Sequence, residues 1–264
     1  MPTIQIAEQA GVGIDGDPRP TEDHVVTLDN AVLLLDGATA PSPDQPSGGW
    51  YAGLLAKQLA DELSTQPEGD LAGVLARAIA AVTESHALRP GVSPSSTVAM
   101  LRWTAERVDA LVLADSPVVA FGQSGHEVLA DRRLATLRAA GKLNTGAEVR
   151  ARRNAADGFW VAEADPAAAG HAVRRSWRRD ELDAALVCSD GVAVAVDDYG
   201  LLGWPSVRRL ADERGLPAVL EAVRAAERAD PRGEKWPRAK RHDDQALVLV
   251  NFVDQVHPRP IVRL

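Results

Sequence analysis

Five apolar residues, Ala31 to Leu35, run without interruption and stop on Asp36-Gly37. A run this short, bounded by Asn30 and Gly37, predicts a strand covered on both faces rather than a helix. The figure recurs at Ala185-Leu186-Val187-Cys188-Ser189-Asp190-Gly191, and His242-Asp243-Asp244-Gln245 leads into a last apolar strand over 246–252. Further strands are predicted over 3–8, 24–28, 97–103, 108–114 and 118–121. Asp29-Asn30 is turn chemistry between two apolar runs, so the 24–28 and 31–36 strands pair as an antiparallel hairpin. That pairing brings the Glu22 end of one strand to the Asp36 end of the other.

Elsewhere the period changes to that of a helix. Trp50, Leu54, Leu55, Leu59 and Leu63 predict a helix to about residue 64; Leu71, Val74, Leu75, Ile79 and Val82 predict one over 70–86. Helices are also expected over 192–199 and over 217–229, where Pro217 suits a first turn. Residues 41–49 and 231–240 read as loops rich in proline, glycine or serine, and Pro258 and Pro260 mark an extended tail. From 134 to 183 no period dominates. Without a repeat or a convincing linker, the chain is expected to form one unit over 1–264.

With 264 residues, 45% of them hydrophobic, the chain can bury a full core. No run approaches the roughly 18 uncharged apolar residues of a membrane helix, and the N-terminus lacks the regions of a signal peptide. The single Cys188 excludes an internal disulfide and fits a reducing compartment, so a cytoplasmic location is expected. A net charge of -8 argues against nucleic acid as a partner. The middle of the chain is locally cationic, with arginines at 132, 133, 138, 150, 152, 153, 174, 175, 178 and 179, which read as solvated faces or as a surface for a phosphorylated or acidic partner. Gly11-Val12-Gly13-Ile14-Asp15-Gly16 matches a dinucleotide fingerprint, but Pro18 and Pro20 follow where a helix would have to begin, so a glycine-rich turn is expected.

The chemistry lies in carboxylates where buried strands enter or leave the core: Glu22, Asp36, Asp115, Asp190 and Asp243. Singly, an Asp-Gly pair is an ordinary turn. Converging acids repel, and such a cluster persists only with protons or cations to neutralise it. Oxygen-only donors suit magnesium or manganese, and two such ions about 4 Å apart can share a hydroxide and aim it at phosphorus.

Six short motifs then stand in one order: Thr21-Glu22-Asp23, Leu35-Asp36-Gly37, Ser96-Thr97, Ala114-Asp115-Ser116, Cys188-Ser189-Asp190-Gly191 and Asp243-Asp244-Gln245-Ala246. In that order and over nearly the whole chain the sequence resembles the type 2C metal-dependent protein phosphatases. The resemblance implies an α+β, four-layer αββα sandwich of two antiparallel sheets flanked by helices. It implies a phosphomonoester hydrolase with two Mn²⁺ or Mg²⁺ ions, a third weakly held, and metal-bound hydroxide as nucleophile. Asp36 would bridge the metals, Glu22 and the Gly37 carbonyl would serve one, Asp190 and Asp243 the other, and Asp115 the third. Asp36, Asp190 and Asp243 would be the catalytic acids. Arg19 would bind the phosphate, although it stands one position nearer Glu22 than the family's arginine. The substrate would be a phosphorylated protein or, alternatively, a phosphorylated small molecule, and residues 132–183 would stand where the family places a flap.

The chain departs from the family at Ala38 and Ala40, where glycines are expected, and at Pro117 in place of arginine. A silent module that keeps the fold therefore stays open as an alternative. Cys188 lacks the arginine six residues on that a cysteine phosphatase needs, Val194 standing there, and reads as a core residue. Asp23 and Asp244 read as solvated acids, and His242, beside Asp243, as a candidate proton donor.

Overall fold

A computed structural model describes residues 1–13, 15–39 and 46–253. The chain begins with β1 (Thr3–Gln9), β2 (Asp23–Leu28) and β3 (Ala31–Asp36), followed by α1 (Gly48–Thr65) and α2 (Leu71–Ser85). Next come β4 (Val98–Trp103), β5 (Arg107–Leu113), β6 (Val118–Gly122) and β7 (Gly125–Leu129), then the short α3 (Arg133–Ala139) and α4 (Gly146–Arg152). After a 3₁₀ turn at Pro166–His171 the chain continues through β8 (Val173–Arg178), β9 (Leu182–Cys188), α5 (Asp190–Asp197), α6 (Trp204–Arg214), α7 (Leu216–Ala229) and β10 (Gln245–Asn251).

The strands form two five-stranded antiparallel sheets, ordered β1-β10-β9-β6-β7 and β2-β3-β4-β5-β8. Alternation within β3 shows how the layers are built. Val32 and Leu34 pack with Val187, Val248 and Val250 of the other sheet, whereas Leu33 and Leu35 pack with Leu55, Leu59 and Leu75 of α1 and α2. Both faces of the strand are covered, which is why its sequence is continuously apolar. The far face of the first sheet, through Leu186, Leu247 and Leu249, packs on Val207, Val219 and Leu220 of α6 and α7. The result is the four-layer αββα sandwich expected from the sequence.

The hairpin also forms as expected, with Leu28 opposite Ala31 across Asp29-Asn30. Its register ends with Asp23, not Glu22, opposite Asp36. Several elements escaped the sequence reading, among them α6, β8 and β7. In α6 only Trp204, Val207 and Ala211 are buried, a narrow stripe hidden among charges. In β8 Trp177 alone is buried, and Arg174, Arg175 and Arg178 are exposed on an edge strand, where charge discourages pairing with another chain. The strand β7 is likewise mostly exposed. The helix expected over 192–199 begins two residues earlier, at Asp190. Residues 132–183, unreadable by period, gather Leu134, Leu137, Phe159 and Val161 into a small cluster with Ala114, away from the main core.

Where β3 ends, backbone meets backbone. A Cβ on Gly37 would lie 2.2 Å from Gly48 C and Gly49 N, and one on Gly48 would lie 2.2 Å from the Ala38 carbonyl oxygen. Gly48 and Gly49, at the first turn of α1, thus lie directly against the Gly37-Ala38 corner. Ala40 itself, like the tail around Pro258 and Pro260, lies outside the described residues. Gly48→Ala is expected to lower stability by about 2–3 kcal/mol, because neither opposing segment is a side chain that can move aside. Gly170→Ala, with open space around it, is expected to stay within about 0.5 kcal/mol. Urea unfolding of the two variants checks this.

Candidate active site

Of the five acids expected to converge, Asp36, Asp115, Asp190 and Asp243 do so at one edge of the sandwich, and Glu22 does not. A cavity of about 700 Å³ is lined by Asp36, Gly37, Asp115, Asp190 and Asp243, with Thr97 beside them. Each acid is held by its backbone. The Asp36 amide donates to Thr97 Oγ1 at 3.0 Å, and Ser96 Oγ donates to the Asp36 carbonyl at 2.9 Å. Thr97 Oγ1 meets Ser116 Oγ at 2.7 Å, tying the Asp36 corner to the turn after Asp115. Asp115 follows Ala114, whose φ of +68° places an alanine in the left-handed region at the end of β5. Such a conformation costs about 1–2 kcal/mol and is held by its surroundings.

Asp190 is the first residue of α5 and Asp243 lies in the turn before β10. They meet because Gly191 has no side chain: a Cβ there would lie 1.9 Å from the Asp244 carbonyl oxygen. Gln245 Nε2 donates to the Gly191 carbonyl at 3.0 Å, and the Ala246 amide donates to Ser189 Oγ at 3.0 Å, locking the two segments together. The Ser-Asp-Gly string is therefore a packing requirement as well as a source of a carboxylate.

Two residues judged solvated are buried instead. Asp244 is 5% exposed and accepts hydrogen bonds from the Gly11 amide at 2.6 Å and the Glu22 amide at 3.3 Å. It anchors the glycine-rich turn, where Gly11 is required because a Cβ would come within 2.8 Å of the His242 carbonyl oxygen. Asp23 is 2% exposed, opposite Asp36, with neither carboxylate oxygen within hydrogen-bond geometry of a partner. Period-2 alternation carries the signal that was missed, since Asp23 shares a face with Val25. Glu22 is also buried, at 8%, but its carboxylate accepts from Thr39 Oγ1 at 3.2 Å and it is not among the residues lining the cavity.

His242, considered as a proton donor, faces away from the cavity. Its Nδ1 lies 2.6 Å from Glu227 Oε2 of α7, and Tyr199 OH donates to Glu227 Oε1 at 3.1 Å. The pair fixes the loop that carries Asp243. Arg19 is exposed and is not part of the cavity lining either; its backbone amide donates to the Gly11 carbonyl. The basic residues that do line the cavity are Arg138, Arg150, Arg153 and Lys240. Arg153 is engaged by the buried Glu163 at 3.1 Å. Arg138 Nη1 lies 3.5 Å from Asp115, and Lys240 Nζ lies 2.5 Å from Asp243 Oδ1. None of these four was singled out as a site residue from sequence: Arg138 and Arg150 lie on the short helices α3 and α4, Arg153 just past α4 and Lys240 in the loop before β10, and no local pattern marks their approach to the acids.

Burial, and then the charges of Asp190, Asp23, Asp243 and Asp115, holds the Asp36 carboxyl well above the usual carboxylate range. Asp190 is pushed up to about 7 by burial and by Asp243 and Asp115. Asp23 is raised by burial and its acidic neighbours, against the opposing effect of Ser189. Asp115 is raised by burial although Arg138 opposes this. Among the described residues no group of three or more His, Cys, Asp or Glu side chains is already placed to hold a metal ion. The donors nevertheless suit a hard divalent cation: they are all oxygens, they repel one another, and the orphaned carboxylate of Asp23 lies behind them.

Comparison with solved structures places this fold among those of Ser/Thr protein phosphatases. The catalytic domain of the serine/threonine protein phosphatase PstP, in complex with two manganese ions, superposes with a TM-score of 0.61 at 15% identity, covering 96% of this chain and 99% of that one. PppA of Pseudomonas aeruginosa, a regulatory component of its type VI secretion system, gives 0.60 at 16% identity over 94% and 97%. Stp1 of Staphylococcus aureus gives 0.59 at 14% identity over 96% of each chain. No protein-family model matches the sequence, and no curated protein matches it. The fold is that of the type 2C phosphatases. Among the described residues no helix is long and apolar enough to cross a membrane.

The raised carboxyls fix the sign of a pH effect in metal-free protein. Their folded values lie above the unfolded value near 4, so between the two the folded state binds more protons and stability falls as pH rises. For Asp190 the window runs from about 4 to about 7. In chelator, the protein is expected to melt at a higher temperature at pH 5.5 than at pH 8. At pH 8, Asp190→Asn is expected to stabilise it by about 1–3 kcal/mol. A melting temperature flat or rising over that interval would contradict this account.

Proposed function

We propose that the chain is a metal-dependent phosphomonoester hydrolase, with Mn²⁺ or Mg²⁺ as cofactor and a phosphoserine or phosphothreonine protein as substrate. The observation that carries the reading is the convergence of Asp36, Asp190, Asp115 and Asp243 on one cavity, each on a different strand end or helix start. Bringing carboxyls from four separate segments to one place, with those of Asp36, Asp190 and Asp115 raised, is costly to the fold. Cation binding offsets that cost. The similarity in fold to a phosphatase solved with two manganese ions supports the same assignment.

Asp36, the Gly37 carbonyl and Asp190 form the centre of the proposed donor set, with Asp243 and Asp115 at its rim. Asp23, paired across the hairpin with Asp36, and Glu22, beside it, are placed to orient it from behind through water or directly. A bound divalent ion supplies a deprotonated water and neutralises charge on the phosphoryl group. The chain's own residues do the rest. Thr97 and Ser96 keep the Asp36 corner from moving as charge in the cavity changes. The contact of Gly191 with Asp244 keeps Asp190 and Asp243 at fixed separation. We assign attraction and orientation of the phosphate to Arg138 and Arg150, which face the cavity, rather than to Arg19. Arginine forks match phosphate oxygens. Apolar Leu134, Leu143, Val149 and Phe159 on the same wall are placed to receive the remainder of the substrate and exclude water.

The alternative is a silent module that keeps the fold, motivated by Ala38 and Ala40, and assay separates the two readings. Purified protein is expected to hydrolyse an aryl phosphate and a phosphothreonine peptide in Mn²⁺ and to stop in chelator. Asp36→Asn and Asp190→Asn are each expected to lower kcat/KM at least about 100-fold. Absence of turnover in every divalent metal would refute the assignment.

A further inference from the structure

Two of the converging acids already have a cationic side chain against them. Lys240 Nζ lies 2.5 Å from Asp243 Oδ1 and 3.9 Å from Asp244 Oδ2, and Arg138 lies 3.5 Å from Asp115. The two cations differ. The Arg138 side chain is 58% exposed, whereas that of Lys240 is 17% exposed and lines the cavity. Lys240 is also carried on a stiff loop. Arg238, two residues before it, is bound by Asp230 at 3.1 Å, and His242, two residues after it, is bound by Glu227 at 2.6 Å. The ammonium is therefore delivered to Asp243 from an anchored backbone. Among the described residues no basic side chain forms an ion pair with Asp23, Asp36 or Asp190.

We propose that Lys240 is a built-in cation standing in for one of two divalent ions, on the Asp243 side of the cavity. The chain then holds one ion tightly, on Asp36 and Asp190, and admits a second only in competition with Lys240. The inference rests on the metal-dependent reading of the site and deepens it. An ammonium and a divalent ion cannot share the Asp243 carboxylate at close range without strong repulsion. Withdrawing Lys240 leaves the carboxylate to the metal, and placing it there leaves Asp243 unavailable as a donor. Metal occupancy thereby becomes graded with metal concentration rather than complete at the first exposure.

Titration of the full chain with Mn²⁺ alone, read by calorimetry and by the electron-paramagnetic signal of free Mn²⁺, tests this without reference to activity. Wild type is expected to bind one ion tightly and a second at least about 10-fold more weakly. Lys240→Gln, of similar shape but neutral, is expected to tighten the second ion about 10- to 100-fold. Lys240→Arg, which keeps the charge, is expected to retain the wild-type pattern. Thermal unfolding in chelator establishes that each variant is folded. Two equally tight ions in wild type, or a Lys240→Gln titration superimposable on wild type, would overturn the role of Lys240 and leave the metal site standing. Failure of both proteins to bind Mn²⁺ would remove the metal site itself, and the inference with it.

Discussion

Mutual repulsion among carboxylates at one sheet edge is the constraint that governs this molecule. Asp36, Asp190, Asp115 and Asp243 face one cavity with Asp23 buried behind them. Burial raises Asp36, Asp190, Asp115 and Asp23 before any neighbour is considered; acidic neighbours raise them further, while Arg138 opposes this at Asp115 and Ser189 at Asp23. Without a cation the site must retain protons or lose stability. Much of the local architecture serves to keep the acids together despite this. Ser96, Thr97 and Ser116 restrain the Asp36 and Asp115 corners. Gly37 and Gly191 allow backbone approaches that no larger residue permits.

The balance of opposite charges extends behind the site. The Glu227 carboxylate, 3% exposed, receives His242, Tyr199 and, at 3.6 Å, Arg224. Arg224 in turn donates to the carbonyls of Gln9 and Ala10, at the end of β1. This group connects α7, the loop before β10 and the first glycine-rich turn, so three distant stretches of sequence are fixed relative to Asp243. A buried polar network of this kind is costly when incomplete, and it specifies one arrangement when satisfied. The glycine-rich turn that resembled a nucleotide-binding fingerprint thus serves as a joint. It closes over Asp244, and Gly11 allows the approach.

How far the sequence could be read follows from the range of the physics involved. The buried strands β3, β9 and β10 were legible because strands covered on both faces must be continuously apolar, whereas their assembly into a four-layer sandwich was implied by the family resemblance. Asp36, Asp115, Asp190 and Asp243 were legible because a charge at the end of such a strand stands out. Asp23 was missed for a related reason: its strand is half-exposed, with Val25 and Val26 only partly buried, so a charge at its start looked ordinary. The edge strand β8 and the helix α6 were hidden by the arginines that solvate them. Lys240 lies furthest from legibility. Its proximity to Asp243 depends on the fold of a loop held by Asp230 and Glu227, partners well upstream in α7 and at its C-terminal end.

The anchored loop also determines which part of the site can respond to an arriving cation. The Asp243 backbone is fixed by His242 on one side and by the pairing of β10 on the other. The Asp190 backbone is fixed by the contact of Gly191 with Asp244. The carboxylates therefore cannot spread apart to relieve their repulsion, and the adjustable elements are the long side chains of Lys240 and Arg138. A lysine has four rotatable side-chain bonds and a strongly hydrated head group, so leaving the cavity for solvent costs it little beyond the attraction of the acids. A structure that fixes its acids and tethers its cations flexibly can exchange an internal charge for an external one without moving a strand. The same exchange in a site with mobile acids would have to rebuild the donor set each time.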